Sequence, residues 1–207
     1  MADVPFSVYI RAIMSLKLQI IRSFQSTATW LIVKYLKKHG NLSTTLPFTF
    51  NANQRYLFVA NHQSQFDPFA VFASLTYAEM LAIAPTRFMT AGRIYYSYLY
   101  PFLALCGCYP THKNRDPTYD PVAQSIHYLE NDQNVFIFPE GRINLQSESQ
   151  PRMGVKRIFD GTRSSFTLVL IHLEWCHEGK RRNLKVVFEQ GSEIESPESL
   201  MEQLYRL

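Results

Sequence analysis

The chain has 207 residues, 46% of them hydrophobic, which suits one α/β-sized domain with a buried core and a short appendage and argues against two full domains. Its 21 Lys and Arg against 17 Asp and Glu give a net charge of +4, which suits an anionic membrane surface or a phosphorylated ligand as well as nucleic acid. The three cysteines, Cys106, Cys108 and Cys176, contain no CxxC pair, which argues against a disulfide framework or a zinc knuckle.

Residues 1–42 are predicted to form an amphipathic two-helix unit. Apolar residues recur at helical spacing from Phe6 to Phe24, the polar stretch Gln25 to Thr29 is predicted to break the helix, and a second helical segment begins at Trp30. Gly40 is its predicted C-cap. Such an apolar stripe fits packing on the rest of the chain and lying on a membrane equally well, and aromatic residues beside lysines favour the membrane.

The N-terminal stretch does not have the pattern of a secretory signal, because Arg11, Lys17 and Arg22 interrupt its apolar residues. A run of about 18 consecutive apolar residues, which a membrane-spanning helix requires, occurs nowhere in the sequence. We therefore expect a peripheral or monotopic protein that lies on the cytoplasmic face of a membrane.

Residues 43–207 are predicted to form one α/β domain, because short β-like runs alternate with helical patterns. The predicted strands are Tyr56 to Ala60, Arg87 to Ala91, Val135 to Phe138, Phe166 to Leu173 and Leu184 to Phe188. The predicted helices are Ile94 to Cys106, Tyr119 to Glu130 and Val155 to Phe159. The segment Ile94 to Leu105 fits a channel for an apolar ligand or, more simply, core packing.

The first motif that indicates chemistry is Asn61-His62-Gln63-Ser64-Gln65-Phe66-Asp67-Pro68, directly after an apolar strand. Loops at the carboxyl ends of strands form the ligand crevice of open α/β sheets. His62 and Asp67 therefore lie where catalytic residues are expected. In one regular helix the two side chains would point about 140° apart, so the segment must turn for them to meet. Asp67-Pro68 predicts a helix start at that point, and taken alone it is a cap or a turn.

The second motif is Phe138-Pro139-Glu140-Gly141-Arg142, which follows another apolar strand. Pro139 ends the strand and Gly141 allows the backbone to turn. Taken alone, Pro-Glu-Gly is a turn signature. Its position nevertheless predicts that Glu140 and Arg142 reach the same crevice as the first motif.

The two motifs together resemble the glycerolipid acyltransferase family, the lysophosphatidic acid acyltransferases and their relatives. The family's blocks Asn-His-x-Ser-x-x-Asp and Phe-Pro-Glu-Gly are both complete here, and the resemblance extends from about Leu57 to Leu173. It implies a single domain with a mixed, mostly parallel central sheet flanked by helices, of the glycerol-3-phosphate acyltransferase type, after the two-helix unit. Residues 43–207 would then be the catalytic acyltransferase domain.

The resemblance implies His62 and Asp67 as catalytic residues. The implied substrate-binding residues are Asn61, Ser64, Arg93, Lys113, Arg115, Glu140, Gly141 and Arg142. Among these, the basic side chains are candidates for binding the acceptor's phosphate, and each is otherwise a solvated surface charge. Two departures bear on the substrate: Arg142-Ile143-Asn144 replaces the more usual Thr-Arg-Ser, and the family's proline is missing from Thr167 to Leu173.

The predicted reaction is transfer of a fatty acyl group from a thioester, acyl-CoA or acyl carrier protein, to the hydroxyl of a lysophospholipid, most simply 1-acylglycerol 3-phosphate. His62 acts as the general base, and Asp67 fixes its tautomer. Because no Gly-x-Ser-x-Gly elbow is present, we expect no acyl-enzyme, and Ser64 supports the site. Backbone N–H groups near Pro68 are candidates for stabilising the oxyanion.

No cofactor and no nucleic-acid partner are expected; the partners are the membrane surface, the acceptor and the thioester donor. On one strand His172, Glu174 and Cys176 would face the same way, but no fourth ligand accompanies them, so no metal site is expected. Three alternatives stay open: another acceptor such as lysophosphatidylethanolamine, glycerol 3-phosphate or a lipid without phosphate; a hydrolase using the same His and Asp; and a non-catalytic membrane adaptor.

Overall fold

The structure, a computed structural model, describes residues 6–113, 116–143, 151–178 and 181–206. These residues form the strands β1 (Gly40–Thr45), β2 (Tyr56–Ala60), β3 (Thr86–Thr90), β4 (Cys108–Pro110), β5 (Asn134–Ile137), β6 (Thr167–Glu178) and β7 (Arg181–Gln190). They also form the helices α1 (Phe6–His39), α2 (Asp67–Ala73), α3 (Tyr77–Ile83), α4 (Gly92–Tyr95), α5 (Tyr100–Leu105), α6 (Pro121–Glu130), α7 (Gly154–Gly161) and α8 (Pro197–Tyr205).

The strands form one mixed, mostly parallel sheet in the order β1-β7-β6-β2-β5-β3-β4, which confirms the predicted fold class. β6, β2, β5, β3 and β4 are parallel to their neighbours, and β7 pairs antiparallel with β6. β1 pairs parallel with β7 and therefore runs opposite to the five central strands. The carboxyl ends of those five strands consequently lie at one edge of the sheet.

Both faces of the sheet are covered, which explains why every residue of β2 is buried. Because side chains alternate along a strand, Phe58 packs with the buried residues of α2 and α3, whereas Leu57 and Val59 pack with those of α6, α7 and α8. Because helices cover both faces of the sheet, polar side chains can be presented only on the loops at its two edges.

The predicted two-helix unit is instead one continuous helix, α1, and Gly40 is the first residue of β1 and not a C-cap. The expected break fails because its polar side chains find partners without leaving the helix: the hydroxyls of Ser26 and Thr27 donate to the carbonyls of Arg22 and Ser23 in the preceding turn. Among the described residues, no helix is both long and apolar enough to cross a bilayer.

The predicted helix Ile94 to Cys106 is two short helices, α4 and α5. Pro101 explains the interruption, because proline is tolerated in the first turn of a helix, where it lies in α5, and not in the interior of a longer one. β2 has the predicted bounds, the other predicted strands and helices are present with shifted ends, and β6 and β7 are longer than predicted. α3 and α8 were not predicted; each begins with a capping box.

β1 was also not predicted, because the polar segment Gly40–Thr45 lacks an alternating apolar pattern. It forms an edge of the sheet through its pairing with β7. The sheet therefore begins at Gly40, and the boundary predicted between residues 42 and 43 falls inside β1.

A buried glutamine joins α1 to the sheet. The Gln25 amide donates to the carbonyl oxygens of Thr86 at 2.6 Å and Cys106 at 2.7 Å, and accepts from the Thr86 N–H at 3.2 Å. Gly107, with a φ of +81°, follows Cys106, and a Cβ there would lie 2.8 Å from both the Gln25 amide nitrogen and the Thr86 carbonyl oxygen. The glycine is required by its backbone conformation and by this contact.

We expect Gly107→Ala to lower the free energy of unfolding by about 1–3 kcal/mol, because alanine is strained at positive φ and would displace the Gln25 amide. Gly154→Ala is the matched control, since a Cβ there is 3.7 Å from its nearest neighbour and the backbone is helical. Urea unfolding midpoints measure both changes. Equal midpoints for Gly107→Ala and the parent would contradict the role given to the glycine.

Candidate active site

Four of the predicted site residues follow the carboxyl ends of neighbouring parallel strands. His62 follows β2, Glu140 follows β5, Arg93 lies just after β3 and Lys113 lies just after β4. Adjacent strands are about 4.8 Å apart, so the four positions form a row along one edge of the sheet. The sheet order places the histidine and the glutamate next to each other.

His62 and Asp67 meet directly. The His62 Nδ1 and Asp67 Oδ2 atoms are 2.9 Å apart, the Asp67 side chain is fully buried, and the His62 side chain is 18% exposed. The chain turns between them, with the Asp67 N–H donating to the Ser64 carbonyl at 3.1 Å, and α2 begins at Asp67. The turn that the motif requires is therefore present, and Asp67 is the first helical residue and not the N-cap, which is Phe66.

The Asp67 carboxylate accepts hydrogen bonds on both oxygens. Oδ2 receives His62 Nδ1 and the backbone N–H groups of Gln63 and Ser64, both at 2.7 Å, and Oδ1 receives the Trp175 indole N–H at 2.8 Å. An ionised carboxylate only accepts, so four converging donors match the charged form. With Nδ1 donating to Asp67, the neutral imidazole leaves Nε2 free to accept a proton.

The imidazole plane is held by an aromatic ring. Phe138 stacks on His62 with ring centroids 4.0 Å apart and an angle of 18° between the planes. Phe138 is the first residue of the second motif, and its position after β5 beside β2 brings it over the histidine. Stacking on one side and the Asp67 hydrogen bond on another fix both the tilt and the rotation of the ring.

Two amide side chains of the first motif continue the pairing of β2 with β6 beyond the last residue of β2. Asn61 donates to the Leu173 carbonyl at 2.8 Å and accepts from the Leu173 N–H at 2.7 Å. Gln63 accepts from the Trp175 N–H at 3.2 Å. The fully buried Asn61 amide thus has both polar atoms engaged by the backbone. Its contacts point to a scaffold role, and its predicted contact with substrate stays a prediction.

Ser64 also has a local partner. Its hydroxyl accepts from the Phe66 N–H at 3.3 Å, an ST-turn contact that shapes the loop leading into α2. In the described residues no side-chain base is hydrogen-bonded to this hydroxyl, which fits the predicted supporting role.

Glu140 is 3% exposed and is held by the C-terminal helix α8. The Tyr205 hydroxyl donates to Glu140 Oε1 at 2.5 Å. Burial raises the pKa of Glu140, and the Tyr205 hydrogen bond and the neighbouring His62 lower it part of the way. Because Tyr205 lies 65 residues from Glu140 in the sequence and in no recognised motif, sequence reasoning missed it.

We expect Tyr205→Phe to cost about 1.5–3 kcal/mol of stability at neutral pH, because it removes a hydrogen bond to a charged group. The raised pKa of Glu140 means that the ionised carboxylate destabilises the fold as pH rises above its ordinary value of 4.5. Losing Tyr205 raises that pKa further, so the cost should be largest at neutral pH and shrink below pH 4.5. Urea unfolding at both pH values measures it.

Tyr119→Phe is the matched control, since the Tyr119 hydroxyl donates at 2.9 Å to a backbone carbonyl, that of Pro110, which does not titrate in this range. Its cost should be the same at both pH values. A cost for Tyr205→Phe that is equally independent of pH would contradict the coupling to Glu140.

The remaining predicted site residues lie around this centre. Gly141 has a φ of +64°, and a Cβ there would lie 2.5 Å from Nε of Arg152, whose side chain crosses the turn. Arg93, Lys113 and Arg142 are exposed, and the Lys113 ammonium lies 4.5 Å from the centre of the Tyr119 ring. Arg115 lies outside the described residues.

His172, Glu174 and Cys176 do lie on one strand, β6, as predicted. The His172 ring contacts the Tyr205 ring at 5.9 Å, and burial lowers the pKa of His172. Within the ranges that the structure describes, no group of three His, Cys, Asp or Glu side chains is arranged to hold a metal ion.

The domain is of the α/β class, and at the carboxyl edge of its sheet a buried carboxylate orients a histidine, an arrangement that can serve as a general base. The model of the family described as Acyltransferase matches residues 37–170. This match covers more than half of the chain, and the protein belongs to the acyltransferase family.

A solved structure supports the fold. The chain is similar to the 1-acyl-sn-glycerophosphate (LPA) acyltransferase PlsC from Thermotoga maritima, with a TM-score of 0.58 and 14% sequence identity over 91% of this chain and 75% of that one. At this identity the similarity is one of fold. A comparison with curated proteins found no match.

Proposed function

We propose that the protein transfers a fatty acyl group from an acyl thioester to the free hydroxyl of a lysophospholipid, with 1-acylglycerol 3-phosphate as acceptor and phosphatidic acid as product. The observation that carries this proposal is the His62–Asp67 pair, 2.9 Å apart, with a fully buried carboxylate that leaves Nε2 as the free base. Family membership supports acyl transfer as the reaction class.

In the proposed reaction, His62 Nε2 takes the proton of the acceptor hydroxyl as its oxygen attacks the thioester carbonyl. Asp67 stabilises the imidazolium that forms. The tetrahedral intermediate then collapses, the C–S bond breaks, and the departing thiolate takes the proton back from the imidazolium. The hydroxyl attacks directly, so no acyl-enzyme forms, and Ser64 shapes the loop.

The positions of the charged residues support an anionic acceptor. Arg93, Lys113 and Arg142 lie at the edge of the sheet that carries His62, and Arg152 crosses the turn after Glu140. An arginine binds phosphate through paired N–H donors. Glu140, which is buried against Tyr205, is assigned to shaping the turn that presents these groups. The protein would act as a peripheral protein at the cytoplasmic face of a membrane.

Thiol release from acyl-CoA by the purified protein in detergent tests the proposal. We expect release that requires 1-acylglycerol 3-phosphate and yields phosphatidic acid, with slower release for lysophosphatidylethanolamine, glycerol 3-phosphate or a lysolipid without phosphate. The same assay is run in parallel with acylated acyl carrier protein as the donor. Release without any acceptor would indicate a hydrolase, and the absence of release with every donor and acceptor would refute acyl transfer.

Trp175→Phe tests the contribution of the indole N–H to the dyad. The variant keeps an aromatic ring but removes a hydrogen bond to a charged carboxylate, a bond worth about 1.5–3 kcal/mol. We expect acceptor-dependent thiol release to fall by about tenfold or more with little change in the acceptor KM. Trp30→Phe, at a half-exposed position of α1, is the matched control and should leave the rate unchanged. Equal rates for the two variants would exclude the contribution.

A further inference from the structure

α1 is apolar on two sides. Its inner side packs on the domain, where Ile21 is 2% exposed and Gln25 is hydrogen-bonded to the sheet. Its outer side presents Leu16, Ile20 and Leu31, which are 57%, 47% and 56% exposed. At about 100° per residue these three side chains fall within one narrow stripe. Packing against the residues that the structure describes does not explain why large aliphatic side chains are aligned on this outer helix face.

A second group of exposed apolar side chains lies on residues 92–105, which comprise α4, α5 and the turn between them. Its most exposed members are Tyr96, Tyr98, Leu99, Tyr100, Phe102 and Leu105, all at least 38% exposed. Tyr98, at the tip of the turn, is 91% exposed. The segment was expected to be ordinary core or to line a channel. These residues face outwards instead.

The tyrosines of this segment are held in place by one another. The rings of Tyr95 and Tyr96 pack edge to face at 5.1 Å, as do those of Tyr95 and Tyr100 at 5.2 Å. The rings of Tyr96 and Tyr100 stack at 6.4 Å. An aromatic cluster ordered in this way loses little conformational freedom when it is covered.

The two groups join into one surface. The Phe24 ring of α1 packs edge to face on the Phe102 ring of α5 at 5.6 Å. Phe24 is one helical turn beyond Ile20 and two turns before Leu31, so it connects the outer stripe of α1 to the aromatic segment. We call the combined surface the docking face; its exposed residues are Leu16, Ile20, Leu31, Tyr96, Tyr98, Leu99, Tyr100, Phe102 and Leu105.

The acidic residues are unevenly distributed along the chain. Residues 4–66 and 92–113, which include both parts of the docking face, contain no Asp or Glu, whereas residues 116–207 contain 14 of the 17 acidic residues. α1 packs on α2, α3 and α5, whereas α6 and α8 pack on the opposite face of the sheet. The charged residues of the two segments that carry the docking face are therefore all Lys or Arg, and the neighbouring helices α2 and α3 add only Asp67, which is buried, and Glu79.

We propose that the docking face seats the protein on an anionic bilayer, and that the 92–105 segment is a second membrane contact beside α1. Tyrosines favour the headgroup level, aliphatic side chains favour the acyl boundary, and basic residues bind anionic lipid. α4 starts at the carboxyl edge of β3, so seating this segment turns the edge that carries His62 towards the lipid. The inference rests on the proposed function in one respect: a lipid substrate gives the protein a reason to lie on a bilayer.

Flotation of the full chain with vesicles tests the proposal without using activity. One set of vesicles is phosphatidylcholine, and the other is an equimolar mixture of phosphatidylcholine and phosphatidylglycerol. We expect strong binding to the mixed vesicles that weakens with salt, and binding about tenfold or more weaker for Tyr98→Ser combined with Leu99→Ser. Both side chains are exposed, and substitutions at exposed positions usually change stability little, so the variant should keep its urea midpoint.

Tyr77→Ser is the matched control. Tyr77 is 61% exposed, but it opens α3 near the end of β1, at the sheet edge opposite to the one that carries His62. Its vesicle binding should equal that of the parent. The proposal is overturned if the parent does not bind mixed vesicles, if the double variant binds as the parent does, or if Tyr77→Ser loses as much.

Two further outcomes separate this proposal from its rivals. Self-association that the double variant abolishes, with vesicle binding unchanged, would assign the face to a second copy of the chain and overturn the proposal. Turnover with acceptor dispersed in detergent is measured in parallel. Vesicle binding without turnover would refute the proposed function alone, whereas turnover with unaffected vesicle binding in the double variant would refute the second membrane contact alone.

Discussion

Replacing His62 by Ala is expected to lower acceptor-dependent thiol release by a factor of about 10² to 10⁴, the usual contribution of a general base. The geometry explains why the loss should fall on the chemical step: the Asp67 hydrogen bond and the Phe138 ring fix an imidazole whose only free nitrogen is Nε2. We expect kcat to fall and the acceptor KM to change little. The measurement is thiol release across a range of acceptor concentrations.

Two comparison variants keep this result interpretable. His62→Gln retains a polar side chain of similar reach against Phe138 but has no basic nitrogen, so it should be as slow as His62→Ala while keeping more of the stability. His127→Ala removes an exposed histidine of α6, on the other side of the sheet, and should turn over like the parent. A His62→Ala variant within about tenfold of the parent would remove the histidine from the proposed reaction.

Asp67→Asn is expected to lower the same rate by up to about 10⁴, the loss that the same change causes where an aspartate orients the histidine of a Ser-His-Asp triad. Four donors converge on this side chain, and an amide has one oxygen and one NH₂ group. If the oxygen faces His62, the NH₂ group opposes the Trp175 indole N–H. If the NH₂ group faces His62, the imidazole must adopt the other tautomer, which places its proton on Nε2.

The Asp67→Asn effect should depend on Trp175. In a Trp175→Phe background the opposing indole donor is gone, so the amide oxygen can face His62 without conflict, and Asp67→Asn should cost less than it does in the parent. A double-mutant cycle of thiol release measures this coupling. Additive losses would show that the indole and the carboxylate do not interact in the working enzyme, and a nearly unchanged rate for Asp67→Asn would contradict the dyad itself.

Much of the candidate site could be predicted from the sequence because it is encoded locally. His62 and Asp67 are five residues apart, the strand before them is continuously apolar, and Asp-Pro favours a helix start at the point where the loop ends. The two motifs were assigned to one site because each follows an apolar strand and because together they resemble the blocks of one family. The sheet order, with β5 beside β2, is what brings Phe138 and Glu140 to the histidine.

The contacts that complete the site depend on distant parts of the chain. Trp175 reaches Asp67 across 108 residues, and Tyr205 reaches Glu140 across 65. Neither follows from a motif, because a tryptophan in a strand and a tyrosine at the end of a helix are ordinary core residues by pattern. Their roles arise from the extension of β6 beyond the end of β2 and from the packing of α8 on β6.

The sequence by itself determined the alternation of strands and helices, the loop that joins His62 to Asp67, and the apolar character of the N-terminal and 92–105 segments, because periodicity and turn chemistry act over a few residues. Only the tertiary structure decided that α1 continues through its polar stretch, that Gly40–Thr45 completes the sheet, and which apolar residues face outwards. The physical reason is that an apolar pattern states which side chains avoid water, whereas the partner that covers them is selected by the packing of elements far apart in the chain.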